Sequence, residues 1–175
     1  MIYIFKNLRH VVEPKILKSI YLALCQSVIT YCISSWGGAS KTILMKAEVG
    51  QRTILKVSTF RPFRFPTFLL YQDCEVLSVR KLFILSILLK QHSELTYDTS
   101  HLNNRRIHKV ASIPHKLKTA FIEKFYCFQG PHIYNKVNAL THIYPLNRTN
   151  CKKTLISYLH NLSYEDTENL LTTFK

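Results

Sequence analysis

The chain has 175 residues, 47% of them hydrophobic, with Lys and Arg outnumbering Asp and Glu by 24 to 10 for a formal net charge of +14. That length and apolar content suit one compact unit with a loosely attached tail, and they exclude a disordered or low-complexity chain. The charge balance is that of a chain that sits on a polyanion, either nucleic acid or an anionic membrane surface.

Cys25, Cys32, Cys74, Cys127 and Cys151 are odd in number and form no C-x-x-C or Cys/His zinc spacing. A zinc knuckle is therefore not expected, and cysteine usage points to a reducing compartment, nucleus or cytoplasm. The opening MIYIFKNLRH has no basic segment ahead of an apolar one and no small-residue cleavage site, so no secretory signal is expected.

The first predicted element is a helix opened by Pro14, whose missing N–H suits a first turn, and closed at Trp36 by Gly37-Gly38 in a positive-φ stop. Ile20, Leu24, Val28 and Tyr31 recur on one apolar stripe, so this reads as an amphipathic core helix with Trp36 substantially buried. The stretch Ser19 to Ser40 carries no charge and is long enough to span a bilayer. Gln26, Ser27, Thr30, Ser34 and Ser35 interrupt it, however, and a membrane role is not expected. Cys25 and Cys32 are expected to share a buried face as small core residues.

Ser40 can cap a second helix to about Val57, with Ile43, Leu44, Ala47, Ile54 and Leu55 on one side. Two helices joined by so short a connection are expected to be near-antiparallel neighbours. Arg61-Pro62-Phe63-Arg64-Phe65-Pro66 then breaks helix twice and interleaves arginine with phenylalanine. Such a segment can stack on bases while guanidinium groups meet phosphates, or its rings can plug the core. Leu77 to Leu89 is apolar on nearly all faces and should be the most buried helix.

From Thr99 to Ile122 the chain carries Arg105, Arg106, Lys109, Lys116 and Lys118 and no carboxylate, which makes it the strongest candidate phosphate-contacting surface. His101, His108 and His115 recur there at a regular interval, but Pro114 interrupts any helix that would align them as metal ligands. Phe121 to Tyr134 clusters aromatics around a Gly130-Pro131 turn, where a short strand or hairpin arm is expected. Helices follow from Asn150 to Asn161 and from Ser163 to Thr173. The only adjacent acidic pair, Glu165-Asp166, reads as a helix-capping signal with Ser163 and not as a metal site.

The expected fold class is therefore mainly α: a multi-helix bundle with an antiparallel pair at the start, a basic loop and a candidate strand or hairpin. Composition divides it into a helical core over 1–95, a basic and aromatic connector over 96–130 and a helical tail over 131–175.

Motif spacing adds a resemblance. Ile20, Tyr21, Ala23, Leu24, Ser27, Tyr31, Ile33, Trp36 and Gly37 fall on the pattern iY-x-aL-x-x-S-x-x-x-Y-x-i-x-x-W-G. Gly50-Gln51-Arg52 and Ile54-Leu55-Lys56-Val57 follow l-x-Q-k/r-x-x-x-r-i, and Pro66, Leu70-Tyr71, Val76 and Leu77 follow P-x-x-x-L-y-x-x-x-x-i-L. Phe125, Cys127-Phe128, Gly130-Pro131, Ile133, Tyr134 and Asn135 follow f-x-y-x-G-P-x-i/l-W/Y-N. Over about residues 5 to 160 the chain thus resembles the region downstream of the polymerase core in non-LTR, LINE-like retrotransposon reverse transcriptases. It departs from the family's short Asn-Thr-Arg motif at Asn104, and from its Leu-Pro after the final Asn, where Val137-Asn138 stands.

The resemblance implies a thumb and post-thumb region of an RNA-directed DNA polymerase. Tyr21, Ser27, Tyr31, Trp36, Gly37, Gln51, Gly130, Pro131 and Asn135 would be structural in it. Only ten carboxylates are present, none in an aromatic-x-Asp-Asp hairpin, so the paired Mg2+ ions of polymerase chemistry find no ligands. No catalytic residue, metal site or cofactor is expected. Hydrolase, P-loop, dinucleotide and zinc-protease motifs are also missing. Two functions remain in view: non-specific binding of RNA or single-stranded DNA through Arg61, Arg64, Arg105, Arg106, Lys109, Lys116 and Lys118, or a protein-interaction module whose partner would include a polymerase palm.

Overall fold

A computed structural model of the chain describes residues 1–98, 111 and 126–172. Among them every regular element is a helix, and the protein is mainly α, a multi-helix bundle. Two compact units form: Met1–Ile33 with Ala39–Leu82, and Ser34–Gly38 with Phe83–Lys175.

The first unit starts with α1 (Ile2–Leu8) and α2 (Pro14–Tyr21), the latter with Pro14 in its first turn as expected. The single long helix expected to follow is broken. α2 runs into a π-helical turn, Leu22–Gln26, then α3 (Ser27–Thr30), a break at Tyr31-Cys32, and α4 (Ile33–Trp36). The interrupting hydroxyls supply the cause. Ser27 Oγ donates to Ala23 O and Thr30 Oγ1 donates to Gln26 O at 2.9 Å, so side chains compete for carbonyls the regular ladder would use.

The buried face is also not the expected one. Leu17, Tyr21 and Cys25 are buried, whereas Leu24, Val28 and Tyr31 of the expected apolar stripe are 44%, 67% and 77% exposed. Cys32 is exposed as well, so it does not share the burial of Cys25.

α5 (Lys41–Ser58) starts after Ser40 as expected, but the Ser40 side chain makes no capping bond to the helix backbone; its Oγ lies 3.0 Å from Thr42 Oγ1 instead. Its buried row is Leu44, Glu48, Gln51 and Leu55, spaced for one helix face but half polar. Ile43 and Met45 lie outside it and are exposed. α1 packs on α5, and α6 (Thr67–Asp73) packs on it in turn. Phe5, Leu17, Tyr21, Cys25, Leu55, Leu70, Cys74 and Val76 form the core of this unit, with Phe65 and Tyr71 partly buried against it.

α7 (Val79–Asp98) is capped by Ser78, whose Oγ accepts from Lys81 N at 3.4 Å, and the division between the units falls within it after Leu82. It carries an almost unbroken buried run from Val79 through Leu88 and on to His92, as its all-round apolar sequence requires.

In the second unit, α8 (Tyr126–Thr141) stands where a strand or hairpin arm was expected over Phe121 to Tyr134. Phe121 to Phe125 lie outside the described residues. Gly130-Pro131 is no turn but part of this helix. Gly130 belongs there because a Cβ would meet Gln91 Oε1 at 3.0 Å and the Tyr126 ring at 3.1 Å. α9 (Arg148–Asn161) buries Cys151, Leu155 and Leu159 along one face, and its N-cap Asn147 accepts from Asn150 N at 2.9 Å. α10 (Tyr164–Thr172) packs on α8. Ser163 caps it: its Oγ accepts from Asp166 N at 3.1 Å and donates to Asp166 Oδ2 at 2.7 Å. Trp36 is only half-buried.

The helix stops depart from sequence expectation. No glycine has a positive φ, so Gly37-Gly38 is not a left-handed stop. Cys32, Phe60, Glu75 and His142 hold that conformation instead, with φ of 49°, 55°, 50° and 48°.

Candidate nucleic-acid interface

Arg105, Arg106, Lys109, Lys116 and Lys118, with His101, His108 and His115, lie outside the described residues. Of the expected phosphate contacts, Arg61 and Arg64 are described, and both stand on the loop between α5 and α6.

That loop is built from the end of α5. Thr59 closes the helix, Phe60 takes the left-handed position, and Arg61 N donates back to Lys56 O at 3.0 Å, the hydrogen bond of a Schellman stop. Glycine usually occupies that position because a side chain there costs about 1–2 kcal/mol. Phe60 is held in it by the Arg9 guanidinium over its ring at 4.3 Å and by the edge of His10 at 5.1 Å. Arg9 Nη1 also donates to Val57 O at 3.0 Å.

Next, Phe65 N donates to Pro62 O at 3.0 Å, which closes a turn with Phe63 and Arg64 at its two corners. Both are exposed, Phe63 by 88%. Lys56 Nζ donates to Phe63 O and lies 5.6 Å from the Phe63 ring centroid. Arg61 is more engaged: its guanidinium stands 4.5 Å over Phe65 and pairs with Asp73 Oδ2 at 2.8 Å. Phe65 is the one ring here that plugs the core.

Beside the loop, a cleft of about 550 Å3 opens in the same unit. Arg9, Lys15 and Lys18 stand on its rim with Phe60, and Leu17, Tyr21, Leu55, Cys74 and Val76 line it. Lys18 is paired to Glu75 at 2.6 Å. Burial pushes the Cys25 and Cys74 thiols up, so neither is a ready nucleophile.

Below these surfaces lies a buried polar node. Gln51 Nε2 donates to Tyr21 Oη and to Leu77 O, both at 2.9 Å, while Gln51 Oε1 accepts from Tyr71 Oη at 2.9 Å. The resemblance draws these residues from separate stretches of the chain, and they meet in one hydrogen-bonded cluster. Burial pushes the Tyr21 hydroxyl up to about 12. Tyr71 is raised further, by burial first and by the Glu48 carboxylate second. Glu48 is itself buried, with Oε1 3.7 Å from Arg80 Nε.

The second unit holds its own nodes. His92 is fully buried, with Nε2 2.9 Å from Leu146 O and Nδ1 2.9 Å from Tyr134 Oη. A carbonyl only accepts, so Nε2 carries the proton and Nδ1 accepts from the Tyr134 hydroxyl. Burial lowers the His92 pKa, which keeps this tautomer neutral. Asn135 clamps the backbone of Ala111 with two bonds of 2.9 Å, Nδ2 to the carbonyl and Oδ1 from the N–H.

The other residues named by the resemblance divide. Gly37, Gly130 and Pro131 are buried, while Ser27 and Tyr31 face solvent. His92, Arg9, Lys56 and Phe60 were not found from sequence. A lone histidine in an apolar run and cations whose partners are distant carbonyls or rings leave no spacing signal. Among the described residues no group of His, Cys, Asp and Glu is arranged to hold a metal ion, and no helix is long and apolar enough to cross a membrane. Compared with known proteins, the chain matches no family profile, no curated sequence and no solved structure.

Proposed function

We propose that the chain is the thumb and post-thumb portion of a LINE-like reverse transcriptase, with no chemistry of its own, and that it holds RNA or single-stranded DNA without sequence choice. The observation that carries the reading is the convergence of Tyr21, Gln51, Tyr71 and Leu77 on one buried node. Apolar motif positions gather in any core. A buried glutamine of the second motif, satisfied by a tyrosine of the first and by a tyrosine and a carbonyl of the third, is far more specific support. The excess of cations supplies the affinity, and the sole adjacent acidic pair is committed in part to a cap through Ser163 and Asp166.

The test is anisotropy of labelled single-stranded RNA and DNA across a salt series. Binding should weaken by roughly 0.7 log units per log unit of salt for each phosphate contacted, and Mg2+ with primer and nucleotides should yield no extension. Salt-independent binding, or extension, overturns it.

A second reading has its own support. Leu24, Val28 and Tyr31 form an exposed apolar row on the π turn and α3 with the adjacent break. Rows of this kind mark protein contacts when they are contiguous. On that reading the chain docks on a protein, and its association is insensitive to salt.

A further inference from the structure

We propose that Phe63 and Phe60 are a stacking platform for unpaired bases, so that the turn between α5 and α6 makes the chain prefer single strands to duplex. The inference rests on the nucleic-acid reading above and assigns it a surface.

Three observations carry it. Phe63 is 88% exposed and Phe60 57% exposed, on a segment where Phe65 alone turns inward. Solvent exposure of a phenyl ring gains nothing in folding, so Phe63 is not there to build the core. Secondly, the ring is presented on a fixed mount. Pro62 and Pro66 flank the turn, Phe65 N closes it on Pro62 O at 3.0 Å, and Lys56 Nζ ties the Phe63 carbonyl to α5. Thirdly, each exposed ring has a cation at one face, Arg9 at 4.3 Å from Phe60 and Lys56 at 5.6 Å from Phe63. Arg64 shares the turn with Phe63. A base can lie on the Phe63 ring, the more exposed of the two, and reach the part of Phe60 that Arg9 and His10 leave uncovered, while these cations meet its flanking phosphates. Asp73, at the end of α6, meets the loop only through Arg61, with which it is paired at 2.8 Å.

Single-strand preference follows from geometry. In a duplex both faces of each base are covered by neighbours, so only unpaired or end bases can reach the rings. Phe60 adds a point: the sequence keeps a bulky residue at φ 55°, where glycine would be less strained.

The experiment compares the full chain with Phe63→Ala, Phe60→Ala and Arg64→Gln, against uridine-rich single-stranded RNA and a duplex of the same length. Phe63→Ala should bind the single strand about fivefold to a hundredfold more weakly. Its salt slope should be unchanged, since a phenyl ring releases no counterions, and its duplex binding should also be unchanged. Arg64→Gln should lower the slope by about 0.7 instead. Phe63→Trp should retain affinity. Because Phe63 is exposed, its variants should melt with wild type, and Phe63 alone keeps the test decisive should Phe60→Ala lose the Arg9 contact and unfold. Phe63→Ala binding the single strand within twofold of wild type, or weakening duplex equally, overturns the platform and leaves nucleic-acid binding standing. Absence of any binding by wild type overturns both.

Discussion

Replacing Gln51 should expose how much of the first unit rests on its buried polar node. Gln51 makes three hydrogen bonds of 2.9 Å, to Tyr21, Leu77 and Tyr71, at a position where water does not reach. Gln51→Met keeps the volume and removes all three, leaving two hydroxyls and a carbonyl unsatisfied. A buried group stripped of its partner costs about 1–3 kcal/mol, whereas replacing both partners by apolar groups is close to neutral. With three groups stripped, the single substitution should therefore destabilise by at least about 3 kcal/mol. The triple variant Tyr21→Phe, Tyr71→Phe, Gln51→Met leaves only the Leu77 carbonyl unsatisfied and should lose about 1–3 kcal/mol. The triple variant is thus expected to be more stable than the single one, a non-additivity that a chain of independent contacts would not give. Urea unfolding followed by circular dichroism measures all of these. If Gln51→Met unfolds within about 0.5 kcal/mol of wild type, like a surface change, or the triple variant is the worst of the set, the node has been misread.

Three further outcomes follow from the same geometry. Because burial depresses the His92 pKa, the unfolded chain binds more protons below its ordinary value of about 6.5, so stability should fall as pH drops from about 7 toward 5; the stability difference between wild type and His92→Asn, measured by urea unfolding at each pH, should shrink over that range, and a constant difference counts against the assignment. Glu75→Gly relieves a left-handed residue at φ 50° and loses an exposed ion pair worth about 0–1 kcal/mol, so its unfolding midpoint should equal or exceed wild type, while Glu75→Val should lie below both. Asn135→Ala should speed amide hydrogen exchange at Ala111, whose N–H it accepts, and unchanged protection there would argue that the clamp is not what holds that backbone.

Helix content, the Ser163 cap and the all-round burial of α7 were legible because they depend on local signals, capping residues and periodicity, whereas Ser40 stands at the start of α5 without its side chain capping it. The face of the opening helix was not. Its apolar positions fit two stripes, Ile20-Leu24-Val28-Tyr31 and Leu17-Tyr21-Cys25, and which of them turns inward is decided by the core they meet, Leu55 of α5 and Leu70 of α6, and not by the spacing of either stripe. From Tyr126 to Tyr134 a helix replaces the expected strand or hairpin arm, because aromatics favour strands only on a half-buried pleated surface. Here Phe128, Ile133, Tyr134 and Val137 face inward at helical spacing. Glycine stops were expected where glycine stood, yet Cys32, Phe60, Glu75 and His142 took the left-handed positions, a choice local propensity disfavours. Of the candidate interface, the loop with Arg61 and Arg64 was legible as an aromatic and cationic run. Which ring turns inward was not, since that depends on Phe65 meeting a core built from α1, α2 and α6.

The manner in which the cations are held bears on which function the surface serves. An ion pair cancels charge, whereas a cation over a ring or against a carbonyl keeps its full charge and its attraction for a polyanion. With 24 Lys and Arg against 10 Asp and Glu, most cations have no carboxylate to meet. In the first unit Lys18 and Arg61 are paired to exposed carboxylates, but Arg9 rests on Val57 O and Phe60, and Lys56 on Phe63 O and its ring. In the second, Lys90 lies 4.1 Å over the Tyr126 ring. These side chains are therefore ordered without being neutralised, which reduces the entropy lost when a phosphate arrives and leaves the field intact. A surface that served only to dock an uncharged protein face would gain nothing from that arrangement. The steep salt dependence expected for single strands is thus the measurement on which the two readings part.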